Sequence, residues 1–225
     1  MFVLIPGAGG AAWYWHRVLP ELRAAGHEAV AVDLPGPDGS AGLSAYADAV
    51  AAAAGDGGNV VLVAQSMGGF TAPMACSRMP VALLVLVNAM IPLPGETAGD
   101  WWDATGWSEA RTAAAEAGGY PAAFDLDTYF LHDVPPALAA ESGRHERAEA
   151  EAAFAEPCAI ERWPEVPTRV VAARDDRFFP AEFQRRVARE RLGLPVDEVP
   201  GGHLAALSRP VELAQALVAY ADASV

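Results

Sequence analysis

The chain has 225 residues, of which 52% are hydrophobic and 20% charged, so it is long enough to bury the core of one large domain. Its formal net charge of −14 comes from 29 acids against 15 arginines with no lysine, and so acidic a surface argues against binding to nucleic acids or anionic membranes. The two cysteines, Cys76 and Cys158, cannot build the disulfide framework of a small secreted protein.

Short apolar runs alternate along the chain with stretches whose apolar positions recur every three or four residues. Most of the runs lack period-two alternation, which is typical of strands buried on both faces of a parallel sheet. The predicted strands are residues 2–5, 29–32, 60–64, 81–87, 169–173 and 196–199. The predicted helices are residues 15–25, 43–54, 67–79, 181–192 and 210–221. This order predicts a doubly wound α/β fold with a mostly parallel sheet of about six strands.

One long stretch, residues 92–167, interrupts the alternation. It contains no strand-like run, and four of the six tryptophans fall within it. Its helix-like pieces are residues 108–117, 126–131 and 136–154. We expect residues 92–167 to form a helical cap that is inserted into a core made of residues 1–91 and 168–225.

The strongest functional pattern lies in residues 60–69, where an aliphatic strand runs into a tight turn of small residues and then a helix. It fits the nucleophile elbow G-x-S-x-G, with Ala64 at the first glycine position. Such a turn holds Ser66 above the carboxyl end of the strand, where the start of the next helix favours developing negative charge. The competing interpretation makes Ser66 an ordinary N-cap of that helix.

A nucleophilic serine needs a base, and His203 is the best placed of the five histidines. It follows a predicted strand and a glycine turn, which is where α/β proteins collect site residues. His27 and His145 suit solvent-facing positions better. His16 is a candidate for lining the pocket or for packing, and His132 belongs to the cap, where contact with substrate is the alternative role. Asp175 and Asp176 are candidates for the acid that orients the histidine, and their position alone does not choose between them.

A glycine-rich turn, residues 6–10, follows the first predicted strand. We expect the backbone N–H groups of Ala8 and Met67 to form an oxyanion hole. The competing interpretation is a dinucleotide-phosphate loop with Asp33 in the place of a ribose-binding acid. The turn lacks the third glycine of G-x-G-x-x-G, and a dinucleotide site would leave the serine, histidine and aspartate unexplained.

Together these segments resemble the α/β-hydrolase superfamily, specifically its small esterase branch, which includes plant methyl-ester esterases and hydroxynitrile lyases. The resemblance covers nearly the whole chain and is carried by residues 2–8, 25–34, 65–69, 175–185 and 201–204. The order serine, aspartate, histidine is also that of the superfamily. The family's acid usually stands four residues before a proline, here Pro180, so the resemblance implies a triad of Ser66, Asp176 and His203.

Two positions bear on the choice between esterase and lyase. Hydroxynitrile lyases of this branch carry a threonine in the oxyanion loop and a lysine after the histidine, where this chain has Gly7 and Leu204. The resemblance therefore implies an ester hydrolase that needs neither metal nor cofactor. The pair Pro6-Gly7 departs from the His-Gly common in the family, although backbone donors do not depend on that side chain.

We therefore predict a serine hydrolase that cleaves a small or medium apolar carboxylic ester through an acyl-enzyme. Aromatic residues that are candidates for pocket walls, with packing as the competing role of each, are Trp13, Trp101, Trp102, Phe130, Phe178 and Phe179. Two alternatives stay open on this fold. One is a ligand-binding or signalling protein without turnover, and the other is a hydrolase or lyase that opens lactones or cleaves C–C bonds.

The chain opens with MFVLIPGAGG, which has no basic group and only five apolar residues before Pro6. Such a run is too short for a signal peptide, and the longest aliphatic run, residues 81–87, is too short for a membrane span. We therefore expect a cytoplasmic protein whose partner is a small-molecule ester, not a nucleic acid or a membrane. A monomer and a homodimer are both open.

Overall fold

The computed structural model describes residues 1–55 and 57–223; residues 56, 224 and 225, which the sequence assigns to the core, lie outside these ranges. Within the described ranges, six strands form one sheet in the order β2-β1-β3-β4-β5-β6. They are β1 Phe2–Ile5, β2 Ala29–Ala31, β3 Val60–Gln65, β4 Val81–Val87, β5 Thr168–Ala173 and β6 Val196–Val199. Every pairing between neighbours is parallel. The predicted fold is confirmed, and each predicted strand is present to within one residue at either end.

Helices cover both faces of the sheet. They are α1 Val18–Ala24, α2 Leu43–Ala54, α3 Gly68–Ala75, α4 Ala98–Ala104, α5 Trp107–Gly118, α6 Pro136–Ser142, α7 Glu151–Ala155, α8 Ala181–Leu192, α9 Ala205–Ser208 and α10 Pro210–Ala223. A 3₁₀ turn at Ala12–Trp15 precedes α1, and a π turn at Asp127–Leu131 lies between α5 and α6. Of the helices in the described residues, none has both the length and the hydropathy required to cross a bilayer.

The burial of the strands explains their apolar sequences. Val3 and Ile5 of β1 pack in the layer of α2, α3 and α8, whereas Phe2 and Leu4 pack in the layer of α1 and α10. All four side chains are fully buried. Because both faces of the sheet are covered, a polar side chain on either face of the inner strands would be buried away from water, so β1, β3 and β4 are nearly continuous apolar runs. The edge strand β6 differs, since its Asp197 and Glu198 are exposed.

The chain between β4 and β5 is helical, but the single helical piece predicted at residues 136–154 is wrong. The structure has α6 and α7 there, separated by residues 143–150, which form no regular element. These eight residues cross the loop after β1, and their side chains bond to the backbone of that loop. Such contacts with a distant segment replace the local hydrogen bonds of a continuous helix.

Helix α4 was not predicted, although its start carries a readable signal. Thr97 is the N-cap, and its Oγ1 accepts a hydrogen bond of 3.0 Å from the N–H of Asp100. The spacing Thr-x-x-Asp before an apolar segment is a capping pattern. The helix seats Trp101 in the core, where the side chain is fully buried.

Candidate active site

Ser66 occupies the sharp turn between β3 and α3. Its φ of 53° lies in the left-handed region, which a residue with a side chain seldom adopts. Backbone bonds hold the turn: the N–H of Ser66 donates to Asn88 O at 3.1 Å, and its carbonyl accepts from Gly69 N and Met90 N at 3.0 Å. A Cβ on residue 69 would lie 1.9 Å from the oxygen of Met90, so only glycine allows this approach. These tertiary contacts therefore hold Ser66 in its strained backbone conformation.

The imidazole of His203 lies between the serine and an aspartate. His203 Nε2 is 3.1 Å from Ser66 Oγ, and Nδ1 is 2.8 Å from Asp176 Oδ2. The side chains of His203 and Asp176 are both 0% exposed. The other carboxylate oxygen, Oδ1, accepts from the N–H groups of Phe178 and Phe179 at 2.8 and 2.9 Å. These donors orient the carboxylate toward the histidine and replace the water lost on burial.

Asp175 lies on the other side of the same turn and is exposed. Its Oδ2 accepts a hydrogen bond of 3.3 Å from the N–H of Gly201, in the loop that carries His203. The structure therefore places Asp176 against the imidazole and Asp175 against the loop backbone. Position along the chain could not separate these two adjacent residues, but their burial does.

Ala8 and Met67 lie on either side of Ser66 in the wall of a cavity. Among the residues the structure describes, neither backbone N–H donates to a protein acceptor. Met67 also stands at the start of α3, where the helix dipole favours negative charge. Two free N–H donors in the same cavity wall as a serine hydroxyl are an arrangement that can stabilise a tetrahedral oxyanion.

The cavity in front of Ser66 and His203 has a volume of about 340 Å³. Three of the predicted aromatic walls line it, namely Trp102, Phe130 and Phe178. Other lining residues come from separate parts of the chain and were not predicted: Tyr14, Met90, Leu126, Phe154 and Leu204. No local pattern marks them, because the fold alone brings their segments together.

The other three predicted wall residues, Trp13, Trp101 and Phe179, do not line the cavity. Trp101 packs in the core and donates its Nε1–H to Ile91 O at 3.1 Å. Phe179 is fully buried, with its ring centroid 5.1 Å from that of His203. Trp13 stacks on His16 and His145 at 4.6 and 4.4 Å. Trp101 and Phe179 are therefore core residues, whereas Trp13 is half-buried and packs against two imidazole rings.

Two polar groups near the cavity have shifted pKa values. Burial, with a smaller effect from Glu146, raises the pKa of Tyr14, so its phenol stays protonated and can donate a hydrogen bond at neutral pH. Burial, together with the nearby Arg177, lowers the pKa of His132, so this imidazole stays neutral. Among the described residues, no group of three or more His, Cys, Asp or Glu side chains is placed to hold a metal ion.

Asn88 was not predicted. It connects the loops that carry Ser66, Asp176 and His203. It follows β4 with a φ of 45° and is fully buried. Its Nδ2 donates to the carbonyls of Gly202 and His203 at 3.2 and 3.1 Å, and its Oδ1 accepts from Ala173 N at 2.7 Å. Its own carbonyl accepts from Ser66 N. The signal in the sequence was an asparagine directly after an apolar strand, since asparagine adopts the left-handed conformation more readily than most residues.

Asn88→Ala is expected to lower the free energy of unfolding by about 2 kcal/mol or more, because buried N–H and carbonyl groups lose their partner. Urea unfolding measures the change. Asn59→Ala is the matched control, since Asn59 has a φ of 53° but an exposed side chain and so carries the backbone strain without the buried bonds. Equal losses in the two variants would contradict the role given to the Asn88 side chain.

The chain matches a family model and resembles known proteins. The family model described as "Alpha/beta hydrolase family" matches residues 2–216. The chain is 40% identical to "Probable esterase PIR7A" of Oryza sativa subsp. indica over 111 residues, which cover 44% of this chain and 42% of the rice protein. That alignment spans less than half the length of the relative.

Two solved structures resemble almost the whole chain. Polyneuridine aldehyde esterase superposes with a TM-score of 0.78 at 22% identity, covering 98% of each chain. A pyrethroid hydrolase from Sphingobium faniae JZ-2 superposes with a TM-score of 0.77 at 26% identity, covering 99% of this chain and 97% of the other. At 22% identity the first likeness shows the fold alone.

Proposed function

Because the chain belongs to the alpha/beta hydrolase family, we propose that it hydrolyses a carboxylic ester, with Ser66 as the nucleophile of an acyl-enzyme. The observation that carries the proposal is the continuous contact from Ser66 Oγ through His203 to the Asp176 carboxylate, at 3.1 and 2.8 Å. The names of the rice relative and of the structural neighbour at 26% identity, an esterase and a hydrolase, support this class of reaction.

Acylation begins when Ser66 Oγ attacks the ester carbonyl carbon and its proton passes to His203 Nε2. The carbonyl oxygen becomes an oxyanion, which the N–H groups of Ala8 and Met67 stabilise; one such donor contributes about 10²–10³ in rate. Asp176 accepts the Nδ1–H and stabilises the imidazolium. The C–O bond to the alcohol then breaks, and the alcohol leaves with the proton from Nε2.

Deacylation repeats these roles with water. His203 Nε2 takes a proton from a water molecule as its oxygen attacks the acyl carbon. The second oxyanion collapses, the bond to Ser66 Oγ breaks, and the proton on Nε2 returns to the serine. The carboxylic acid is released and ionises in solvent, so the protein ends in its starting state without a cofactor.

The lining of the cavity supports a small or medium apolar ester as substrate. Trp102, Phe130 and Phe178 present aromatic surface to a volume of about 340 Å³, which is the size of a small-molecule site. We propose that residues 92–167, which contribute Trp102 and Phe130, act as a cap over the site. We further propose that this chain acts in the cytoplasm on a small-molecule ester, with no nucleic-acid or membrane partner.

A fluorophosphonate is expected to label Ser66 alone, because only a serine activated by a base displaces fluoride rapidly. Intact-mass spectrometry measures the addition of one phosphonyl group, and fragmentation of the tryptic peptide 24–78 locates it. That peptide also contains Ser40, Ser44 and Ser77, which serve as internal controls. Heat-denatured protein should take up no label. Labelling at another serine, or none in the native protein, would refute the proposed nucleophile.

A further inference from the structure

Residues 143–150, here called the strap, connect α6 to α7 and touch the loop after β1 at two points and the segment after β2 at a third. Glu149 Oε2 accepts a hydrogen bond of 2.5 Å from the N–H of Gly9. Arg147 donates from Nη1 to Gly10 O at 3.1 Å and from Nη2 to Leu34 O at 3.0 Å. Glu149 is thus bonded to the residue that follows Ala8, although the two segments are 140 residues apart in the chain.

Both strap side chains are themselves held in place. Glu149 Oε1 accepts a hydrogen bond from the hydroxyl of Tyr46, whose ring is buried. Burial and the bond to this carboxylate raise the pKa of Tyr46, so the phenol remains a donor at all pH values near neutrality. Arg147 pairs with Asp33 at 2.7 Å. The carboxylate that meets Gly9 therefore has one orientation.

The strap lies so close that the loop must carry glycine. Gly9 has a φ of 84°, and a Cβ there would lie 2.8 Å from the carbonyl oxygen of Arg147. The presence of glycine at this position is explained by two requirements, the left-handed backbone and the closeness of the strap. The sequence therefore supplies both sides of this contact, Arg147 and Glu149 in the strap and glycine at position 9 of the loop.

The orientation of the Ala8 N–H follows from these bonds. Gly7 O accepts from Gly10 N at 3.1 Å, and in a planar trans peptide the next N–H, that of Ala8, points the opposite way. The bond from Gly9 N–H to Glu149 fixes the peptide unit after Ala8. With both flanking units held, the N–H of Ala8 stays free of protein acceptors in the cavity wall.

We propose that Glu149 is a positioning residue for the oxyanion hole, acting through Gly9 to hold the N–H of Ala8 toward the reacting carbonyl. This inference rests on the proposed function, because it assigns Glu149 a part in stabilising the oxyanion. This role also connects residues 92–167 to catalysis, because the strap belongs to this insertion and holds the loop after β1 in its conformation.

Glu149→Ala is expected to lower kcat by about 10- to 100-fold, because a displaced donor stabilises the oxyanion less. Glu149 also lines the cavity, so its truncation can change KM as well, and the fall in kcat is the effect that tests the positioning role. Affinity for a trifluoromethyl ketone, which forms a tetrahedral adduct with serine, should fall by the same factor as kcat/KM. Glu149→Gln keeps an acceptor for Gly9 N–H and should restore most of the activity. A loss confined to KM, or no loss of kcat, would overturn the proposal.

Glu156→Ala is the matched control. Glu156 is also a carboxylate of the insertion that accepts from a core backbone N–H, that of Ser44 at 3.3 Å, but it touches neither the loop nor the cavity. Glu156→Ala should lose as much stability as Glu149→Ala but keep the kcat of the wild type. An equal fall in kcat in the two variants would show that Glu149 has only a structural role and would overturn the proposal.

Hydrogen exchange at the Gly9 amide separates this inference from the function on which it rests. Exchange should be faster in Glu149→Ala than in the wild type and unchanged in Glu156→Ala. If Ser66→Ala abolishes turnover while Glu149→Ala keeps full kcat, the positioning role fails and the proposed function stands. If Ser66→Ala keeps wild-type turnover, both fail, and the Gly9 exchange rates show only whether the contact exists.

Discussion

Replacing Ser66 with alanine is expected to lower kcat for p-nitrophenyl esters by about 10⁴–10⁶-fold, the loss associated with a triad serine. The reason is that the acyl-enzyme cannot form without Oγ, and only the oxyanion donors and the binding surface remain. Initial rates on acetate, butyrate and octanoate esters, with wild type and variant in parallel, measure the change.

Stability should change little in this variant, because the Ser66 side chain bonds to His203 and not to the backbone turn that holds residue 66. Ser77→Ala is the matched control: Ser77 lies just beyond the other end of α3 and donates to Met74 O at 2.7 Å, away from the cavity. It should keep wild-type rates. Equal turnover by wild type and Ser66→Ala would show that Ser66 is not the nucleophile.

A wild type that hydrolyses none of the three esters would refute hydrolysis of simple apolar esters. The ligand-binding alternative and the specialised lactone or C–C-bond chemistry would then be the interpretations to test. Both alternatives use the same cavity. Tight binding of a small molecule without turnover would support the ligand-binding protein over the enzyme that acts on lactones or C–C bonds.

Asp176→Asn is expected to lower kcat by about 10⁴-fold while leaving the fold intact. Its carbonyl can still accept from the N–H groups of Phe178 and Phe179, so the turn is retained. The amide, however, would present an N–H to Nδ1 of His203. That favours the tautomer with its proton on Nε2, which cannot accept the proton of Ser66.

Asp175→Asn tests the same change one residue earlier. Asp175 is exposed, and its side chain accepts from the loop N–H of Gly201 and not from His203, so this variant should have kcat close to that of the wild type. Steady-state rates and melting temperatures for both variants separate catalysis from folding. A large loss in Asp175→Asn with little loss in Asp176→Asn would reverse the assignment of the acid.

More of the fold than of the site could be predicted from the sequence. All six strands were found to within one residue. In β1, β3 and β4 the reason is burial on both faces, which leaves a nearly continuous apolar run and is a local property. Ser66 and His203 stood out for a similar reason, as each follows a strand and a turn of small residues. The structure brings them to 3.1 Å across 137 residues of sequence.

The predictions that failed or stayed open depended on distant contacts. The helix predicted at residues 136–154 ends early because Arg147 and Glu149 bond to a loop near the start of the chain. Trp13, Trp101 and Phe179 have the same aromatic character as the three rings that line the cavity, and composition does not tell them apart. Their places in the fold do: Trp101 and Phe179 are fully buried, Trp13 stacks on His145, and none of the three lines the cavity.

The sequence by itself therefore determined the α/β order of elements, the parallel sheet and the positions of the serine and the histidine. The family resemblance implied Asp176, and the tertiary structure brings that carboxylate, and not Asp175, to the imidazole. Only the tertiary structure placed Asn88 among three loops and brought the strap onto the loop after β1. Hydrophobic periodicity is set by neighbours within a few residues and can be read along the chain. Hydrogen bonds between segments more than a hundred residues apart depend on how the elements pack, which no local pattern records.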